Sequence, residues 1–589
     1  MSKGDWTWIP QHATRRGITT PQLALCLDIT SQTISGWLTG RADPSFRNLL
    51  MLAHIFCEDS VEKLAGMAGI DWRSLVEDLS FQAEALGVDL LVPALGEHDG
   101  PITFHLPLDV LQEPNALGEQ FKSAFRSAAD LLKYTGRFQE LRAQASHVLS
   151  RMAGRDSAFA ARLYYDVAYA SLMLGNYPDG IRSTEKARAL LAAHGDQMLL
   201  ADTHWLSAEC LRIIGELGEA RRHCDEATRL YRKLKVKTSA REPGRMWVEW
   251  NLGCIDAADG RYDTARKHFT RLGAMGKRTG LPEAEISATW GCAYVDEMRS
   301  EFDQALEGYR QAQQLASRFG DRFWVAESRW RSAEVARKTS SFADATLAAQ
   351  AARSAYASMG NESMMTKLSC TVAACHLQIG APDKALALYR NAADFFAGNR
   401  DRPMERAARA GYGLALLALE SQEPAPAYEK ILRILQEIEA IGQAGYNRYL
   451  DTYEGFAHAE ALRLAGYTTR ALERYHNLAE TSASLGHQLE KAHALLGIAE
   501  TRRMTGQADR RSCHEALKIY RRVGSKWGQV HALITLALIA LDSGESAAPL
   551  LGEASVMARG ASLKADLRFI ESLAAKKPAP GHLHVLLFV

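Results

Sequence analysis

From about residue 119 onward, apolar residues recur at three- and four-residue intervals in one stretch after another, with Glu, Arg and Lys filling the positions between. That spacing puts the apolar side chains on one face of a helix, and the abundance of Ala, Leu, Glu and Arg agrees with it. Alternation with a period of two, the mark of a half-buried strand, is nearly absent. The pattern therefore predicts an all-α chain. Ahead of this region, residues 10–80 read as a compact unit of short helices with tight connections. Residues 81–118 change character: Pro93, Pro101, Pro107 and Pro114 interrupt them, and they hold acidic residues but no Lys or Arg. Proline removes a backbone donor and restricts its neighbour, so 81–118 reads as an acidic linker with at most one short helix, near Phe81–Leu91.

The helical region repeats. A turn, usually Gly followed by polar or aromatic residues and then Ala five positions on, recurs at Gly136, Gly175, Gly215, Gly260, Gly380, Gly466 and Gly506. Weaker copies sit at Ser300, Ser340, Ser421 and Gly544, and successive turns lie 38 to 45 residues apart, which makes eleven units. A helix pair has an apolar face that it cannot bury alone, so such units stack into a solenoid. Within Asn251–Ala265, Leu252 and Gly253 are expected to face the paired helix, Gly253 permitting close approach. Gly260 ends the first helix, and Tyr262 and Ala265 seat the second. Arg511 stands at the usual alanine position after Gly506, so the registers around 421 and 506–544 are the least regular.

These repeats resemble the tetratricopeptide repeat family, in the longer form of about 40 residues per unit found in bacterial signal-responsive regulators. The resemblance covers 119–575 and implies a superhelix whose first helices line a concave groove. Residues 576–589 follow as a tail. Its apolar run, Val585-Leu586-Leu587-Phe588-Val589, is too short to span a bilayer and reads as an extra packing segment.

Inside the small N-terminal unit, Gly17–Arg41 reads as two short helices joined by a tight turn. Thr19 or Thr20 caps the first, with Pro21 in its first turn, and Thr30 or Ser31 caps the second. Leu23, Ala24, Leu27, Ile29, Ile34, Trp37 and Leu38 face inward, leaving Ser31, Gln32, Thr33, Ser35 and Gly36 on the exposed face. Ile34, Trp37, Gly40, Arg41, Pro44-Ser45 and the run Asn48–Phe56 resemble the Cro/repressor (XRE-like) helix-turn-helix domain, with a further helix at 60–68 or 72–79. That resemblance implies binding to double-stranded DNA, generally as a homodimer on a palindromic site. Gln32, Thr33 and Ser35 would then meet base edges, with Ser31 and Arg41 nearer phosphate. The family's usual Gln at the start of the first motif helix is Thr20 here, and its common Glu after Trp is Leu38. Residues 12–78 carry six basic and eight acidic side chains, and none of the basic ones lies on the second motif helix. Phosphate attraction supplies most nonspecific affinity, so the unit is expected to bind DNA weakly alone and to need dimerisation. The other reading is a docking or dimerisation module.

Composition narrows the classes. A net charge of +1 across 589 residues leaves no global field toward nucleic acid or membrane. The nine cysteines are scattered and form neither a metal-ligand cluster nor a disulfide framework, which suits a reducing cytoplasm. No signal-peptide pattern opens the chain, and no apolar run is long enough to cross a bilayer, so a cytoplasmic location away from membranes is expected. No cofactor is implied. Gly273–Gly280 has the look of a phosphate loop but lacks its spacing and a preceding strand. With no HExxH pair and no Gly-x-Ser-x-Gly elbow, no catalytic or metal site is read and the chain is not expected to be an enzyme.

Ten residues before the repeat turns stand Tyr165, Trp205, Trp250, Trp290, Trp330 and Phe456, with Trp247 one turn ahead of Trp250. Four residues beyond several of them come Tyr169, Glu209, Tyr294, Glu334, Glu460 and Glu500, on the same helix face. Two placements stay open. The ladder either fills gaps between units or lines the groove, since one residue of register separates the two. In the groove, aromatic and acidic side chains suit an extended peptide or protein segment with apolar and basic groups. Asn251 and Arg331 lie beside the ladder and would fix a ligand backbone or carboxylate. The leading expectation is a DNA-binding transcriptional regulator whose repeat array senses a peptide or protein. The alternative is a protein-interaction scaffold, such as an adaptor in a stress or defence system, with a degenerate helix-turn-helix.

Overall fold

The computed structural model describes residues 4–27, 29, 31–44, 46–57, 61–70, 89–91, 103–105, 119–134, 136–152, 156–234, 238–423, 426–439, 448–575 and 585–588. Five short helices come first: α1 (Trp8–Arg15), α2 (Thr20–Cys26), α3 (Ser31–Leu38), α4 (Phe46–Cys57) and α5 (Val61–Ala68). Thr19 starts α2 with a reciprocal cap. Its backbone N–H and hydroxyl both donate to the Gln22 side-chain oxygen at 2.9 Å, and its hydroxyl accepts from the Gln22 N–H at 3.4 Å. Leu23, Ala24, Leu27, Ile34 and Trp37 are buried as the pattern requires, and Ser31, Gln32, Thr33, Ser35 and Arg41 are exposed. Thr30 and the alternative helix at 72–79 lie outside the described residues.

A distinct N-terminal helix-turn-helix bundle is not what the structure shows. One continuous apolar core runs from Trp6 through Phe56, Phe125 and Trp250 to Phe588. Helix α4 and the α1–α2 turn rest on the array: Gly17 approaches the Arg318 guanidinium, and Gly320 approaches His54. The core also begins earlier than residue 10, at Trp6, whose indole donates to Asp43 at 2.9 Å.

Two strands correct the expectation of helices alone. β1 (Asp89–Leu91) pairs antiparallel with β2 (Thr103–His105), placing Leu90 opposite Phe104. Of the short helix expected near Phe81–Leu91, residues 81–88 lie outside the described residues and 89–91 form this strand.

The array then opens with α6 (Glu119–Tyr134), α7 (Phe138–Met152), α8 (Ser157–Met173), α9 (Tyr177–His194), α10 (Gln197–Ile213), α11 (Leu217–Lys233) and α12 (Thr238–Ala258). It continues with α13 (Tyr262–Thr279), α14 (Pro282–Met298), α15 (Phe302–Arg318), α16 (Arg322–Lys338), α17 (Phe342–Ser358), α18 (Glu362–Gln378), α19 (Pro382–Gly398) and α20 (Arg402–Glu420). It ends with α21 (Tyr428–Glu439), α22 (Arg448–Leu464), α23 (Thr468–Leu485), α24 (Gln488–Met504), α25 (Arg510–Val523), α26 (Lys526–Asp542), α27 (Ala548–Gly560) and α28 (Lys564–Ala574). Small residues set how closely these pack. A Cβ added at Gly253 on α12 would come within 2.6 Å of the Phe269 ring on α13, so this glycine is a packing requirement.

The repeat turns that carry serine keep the same geometry as the glycine ones. Ser300 and Ser340 sit at φ 61° and 68°, the left-handed region that non-glycine residues seldom enter. Ser421 departs from the rule: it ends α20 at φ −64°, in the helical region. After Gly506 the second helix starts late, so the exposed Arg511 is not in the alanine seat and Cys513 is buried there instead.

Successive turns of the superhelix touch. The Tyr177 hydroxyl lies 3.3 Å from Ser363 Oγ, and Asn361 Nδ2 donates to the Met173 carbonyl at 2.6 Å. Ser300 Oγ accepts from the Leu489 N–H at 3.1 Å, and Ser340 Oγ accepts from the Trp527 N–H at 2.8 Å. These four pairs are separated by 186 to 189 residues, a constant offset that marks one full superhelical turn. Leu489 and Trp527 each lie in the first turn of a helix, where N–H groups lack intrahelical partners. The two serines therefore cap helices one superhelical turn away.

Candidate functional site

The concave side holds a partly open cavity of about 630 Å³. Trp205, Trp247, Trp250, Trp290, Tyr294 and Trp330 all line it, as do Glu209, Arg331 and Glu334. Trp205, Trp250 and Trp290 are nonetheless more than 90% buried. Core and groove, alternatives in the sequence, are here the same surface: the rings wall the cavity and pack on one another. Trp205 stacks on Trp247 at 5.7 Å between centroids, and Trp290 stacks on Tyr294 at 5.5 Å. Trp250 meets Trp290 at 5.6 Å.

Charges are set around these rings in clamped pairs. Arg212 binds Glu209 and Arg337 binds Glu334, each arginine three residues after its glutamate. Burial works against the Glu334 carboxylate, but Arg337 and Arg331 outweigh it and hold the group down at about 2. Glu297, fully buried, receives Lys338 Nζ at 2.8 Å, the Tyr309 hydroxyl at 2.7 Å and the Arg331 guanidinium. Burial alone would raise its pKa, and the two cations reverse that and lower it.

At one end of the cavity two carboxylates, Glu283 and Asp321, lie close enough to act on each other. Glu283 opens its side chain into the cavity while protein surrounds the site, and burial together with the Asp321 charge pushes it up to about 7. Asp321 caps α16 by accepting from the Trp324 N–H at 3.1 Å, and it too is raised by burial. Among the described residues, no Lys or Arg is paired with Glu283. His54 of α4 lines this end, so the small N-terminal unit closes the cavity beside the two carboxylates.

Other sequence candidates fall elsewhere. Asn251 is fully buried away from the cavity, its amide donating to the Trp205 carbonyl at 3.1 Å. It braces the helix that carries Trp205. Arg331 lines the cavity but is committed to Glu297, its guanidinium 5.1 Å from the Tyr294 ring centre. Tyr165 packs edge-on against Trp205 at 6.5 Å without lining the cavity, and Phe456 lies among Tyr475, His493 and Phe588. Trp324, Glu283 and Asp321 escaped the sequence reading. They sit at the starts of α14 and α16, six or more residues from the ladder positions, where counting back from the turns does not reach. Trp324 meets Trp250 at 5.2 Å and Trp290 at 5.8 Å. Among the described residues, no group of His, Cys, Asp and Glu is arranged to hold a metal ion, and no helix is long and apolar enough to cross a membrane.

No protein-family model matches the chain, and no curated protein sequence matches it. Solved structures do. A Rap protein complexed with competence and sporulation factor is 13% identical, with a TM-score of 0.43 over 65% of this chain and 100% of its own. The Rap conjugation gene regulator of plasmid pLS20, in complex with the Phr* peptide, is 11% identical, with a TM-score of 0.41 over 64% of this chain and 98% of its own. A signal-transduction ATPase with a tetratricopeptide repeat sensor, from Pyrococcus horikoshii, is 12% identical, with a TM-score of 0.37 over 80% of this chain and 69% of its own. None of these is named as a DNA-binding transcription factor. The expectation of such a factor is corrected on that finding. The exposed face of α3 agrees, since Ser31, Gln32, Thr33 and Ser35 carry no positive charge to offer a phosphate. What the chain's own geometry shows is an all-α repeat superhelix, with one two-stranded ribbon, that resembles tetratricopeptide solenoids.

Proposed function

We propose that the chain is a protein-interaction scaffold whose superhelix encloses a short peptide segment bearing aromatic or aliphatic side chains and one cationic group. The observation that carries this reading is the asymmetry of the cavity: a wall of stacked tryptophans faces an end where Glu283 lies beside Asp321 with no Lys or Arg paired to it among the described residues. Aromatic walls give large contact area at low entropy cost, and a ligand ammonium or guanidinium would supply the missing charge. The volume sets the scale. At about 630 Å³ the cavity holds a few residues and not a long strand.

Glu283→Gln tests the reading, because it keeps the shape and removes the charge. Fluorescence anisotropy with short Lys- or Arg-containing aromatic peptides should show binding weakened about tenfold, close to 1.4 kcal/mol, with neutral analogues unaffected. Equal affinity of the variant and the parent for every cationic peptide would overturn it. Native mass spectrometry of the purified chain would show directly which molecule the cavity retains.

A further inference from the structure

The last described segment, Val585–Phe588, has no regular secondary structure and lies inside the superhelix at the end away from the small N-terminal unit. Leu586 and Phe588 are buried, while Val585 and Leu587 are half-buried. That alternation is how an extended peptide presents every second side chain to a surface. The Phe588 ring stacks on His493 at 4.8 Å and meets Phe456 at 5.2 Å, Trp527 at 5.9 Å and Tyr475 at 6.4 Å. The Leu586 N–H donates to Glu460 Oε1 at 2.7 Å. Glu460 is fully buried, gripped by Arg463 at 2.6 and 2.9 Å and by the Tyr475 hydroxyl at 2.7 Å.

Phe456, Glu460 and Arg463 stand at i, i+4 and i+7 on α22, and the same spacing recurs as Trp205, Glu209 and Arg212 on α10 and as Trp330, Glu334 and Arg337 on α16. In all three the arginine clamps the glutamate. In the α22 copy the clamped carboxylate holds a peptide N–H and the aromatic residue holds a side chain two residues further on. Nine residues, 576–584, join residues 585–588 to Ala575 at the end of α28 in the sequence.

We infer that Phe456, Glu460, Tyr475, His493 and Trp527 form a second peptide-binding site, separate from the tryptophan cavity, for an extended segment with an aliphatic and an aromatic side chain two residues apart. Residues 585–588 are the copy of that ligand carried in cis. A partner segment with the same Leu-x-Phe pattern competes with it. Because residues 585–588 belong to the same chain as the site, the competitor meets a high effective concentration of the internal copy and binds weakly until that copy is removed.

Two measurements test this, and neither involves Glu283. The chain lacking residues 585–589 and the full chain are each titrated with a labelled peptide of sequence His584–Val589. The shortened chain should bind one equivalent, at least tenfold tighter than the full chain does, and the peptide carrying Phe588→Ala should lose at least tenfold. Hydrogen exchange on the unaltered chain gives the second reading. The Leu586 amide should exchange at least a hundredfold faster than the interior amides of α22 and α24, as a segment that leaves and returns. Overturning results are a Leu586 amide that exchanges only with those helices, or a shortened chain that binds no peptide or unfolds; residues 585–588 would then be fixed core.

Discussion

Single side chains carry much of what distinguishes this chain from a generic stack of helices. Glu297 is buried with two cations and a tyrosine hydroxyl, and removing its charge strands Arg331 and Lys338 in a medium that solvates them poorly. Glu297→Gln is expected to cost about 3–5 kcal/mol in denaturant unfolding, with loss of the Arg331 position beside Tyr294. Buried histidines set the acid response. An unfolded histidine takes up a proton near 6.5, whereas burial, with Lys338 close to His487 and Arg337 close to His493, brings both down to about 3. Burial and Arg188 lower His204 and His223 to about 4, and their Nδ1 atoms lie 2.8 Å apart. All four folded values are depressed, so the unfolded chain binds more protons below 6.5. Their share of the stability is therefore full above that pH and is lost as pH falls from 6.5 toward about 3. The melting temperature should drop by several degrees between pH 7 and 5, and His493→Phe should flatten part of that slope. The tryptophan ladder was legible from the sequence because it repeats at a fixed distance from the turns. The commitments of Arg331 and Asn251 were not, because Glu297 and the Trp205 carbonyl reach them from neighbouring repeats.

At the level of elements, glycine positions were readable where a helix must approach another. Phe269 on α13 is wedged between Gly253 of α12 and Gly291 of α14, within 2.6 and 2.5 Å of where their Cβ atoms would lie. Gly253→Ala should destabilise the chain by about 1–3 kcal/mol in denaturant unfolding, because Phe269 has no free side to move toward. Gly218→Ala, where nothing lies within 4 Å, is the control and should leave the midpoint unchanged or raise it. The strands β1 and β2 were not legible: three residues each, Asp89–Leu91 and Thr103–His105, are too short to show alternation. The late start of α25 was foreshadowed by Arg511 and then resolved by Cys513, a residue small and apolar enough to take the alanine's seat. Ser300 and Ser340 were the misleading pair. As turn residues they looked like worn copies of glycine, yet each hydroxyl has a partner in a helix too distant in sequence for local pattern to reveal.

For the whole molecule, those hydroxyls belong to a seam. Ser300 and Ser340 join one superhelical turn to the next at α24 and α26, and Tyr177 and Asn361 do the same nearer the N-terminus. Replacing both serines by glycine should keep every repeat turn, since glycine enters left-handed backbone freely, while removing two inter-turn caps. The double variant is expected to retain its helical circular dichroism but to show a larger radius of gyration by small-angle scattering. Ligand association and dissociation should both accelerate, while affinity changes little. An unchanged radius together with unchanged rates would show that apolar contacts alone hold the turns. Nothing in an isolated repeat predicts this closure, because the offset of 186 to 189 residues exceeds the reach of any repeat's own pattern.

A seam of this kind governs time as well as shape. Contents bordered by touching turns leave slowly where the seam narrows their way out. Occupancy then lags behind concentration, so a brief pulse of ligand leaves a mark that outlasts it. Such a scaffold would keep a record of what it has met, and the length of that record would be set by a few hydroxyls at the rims of its coils.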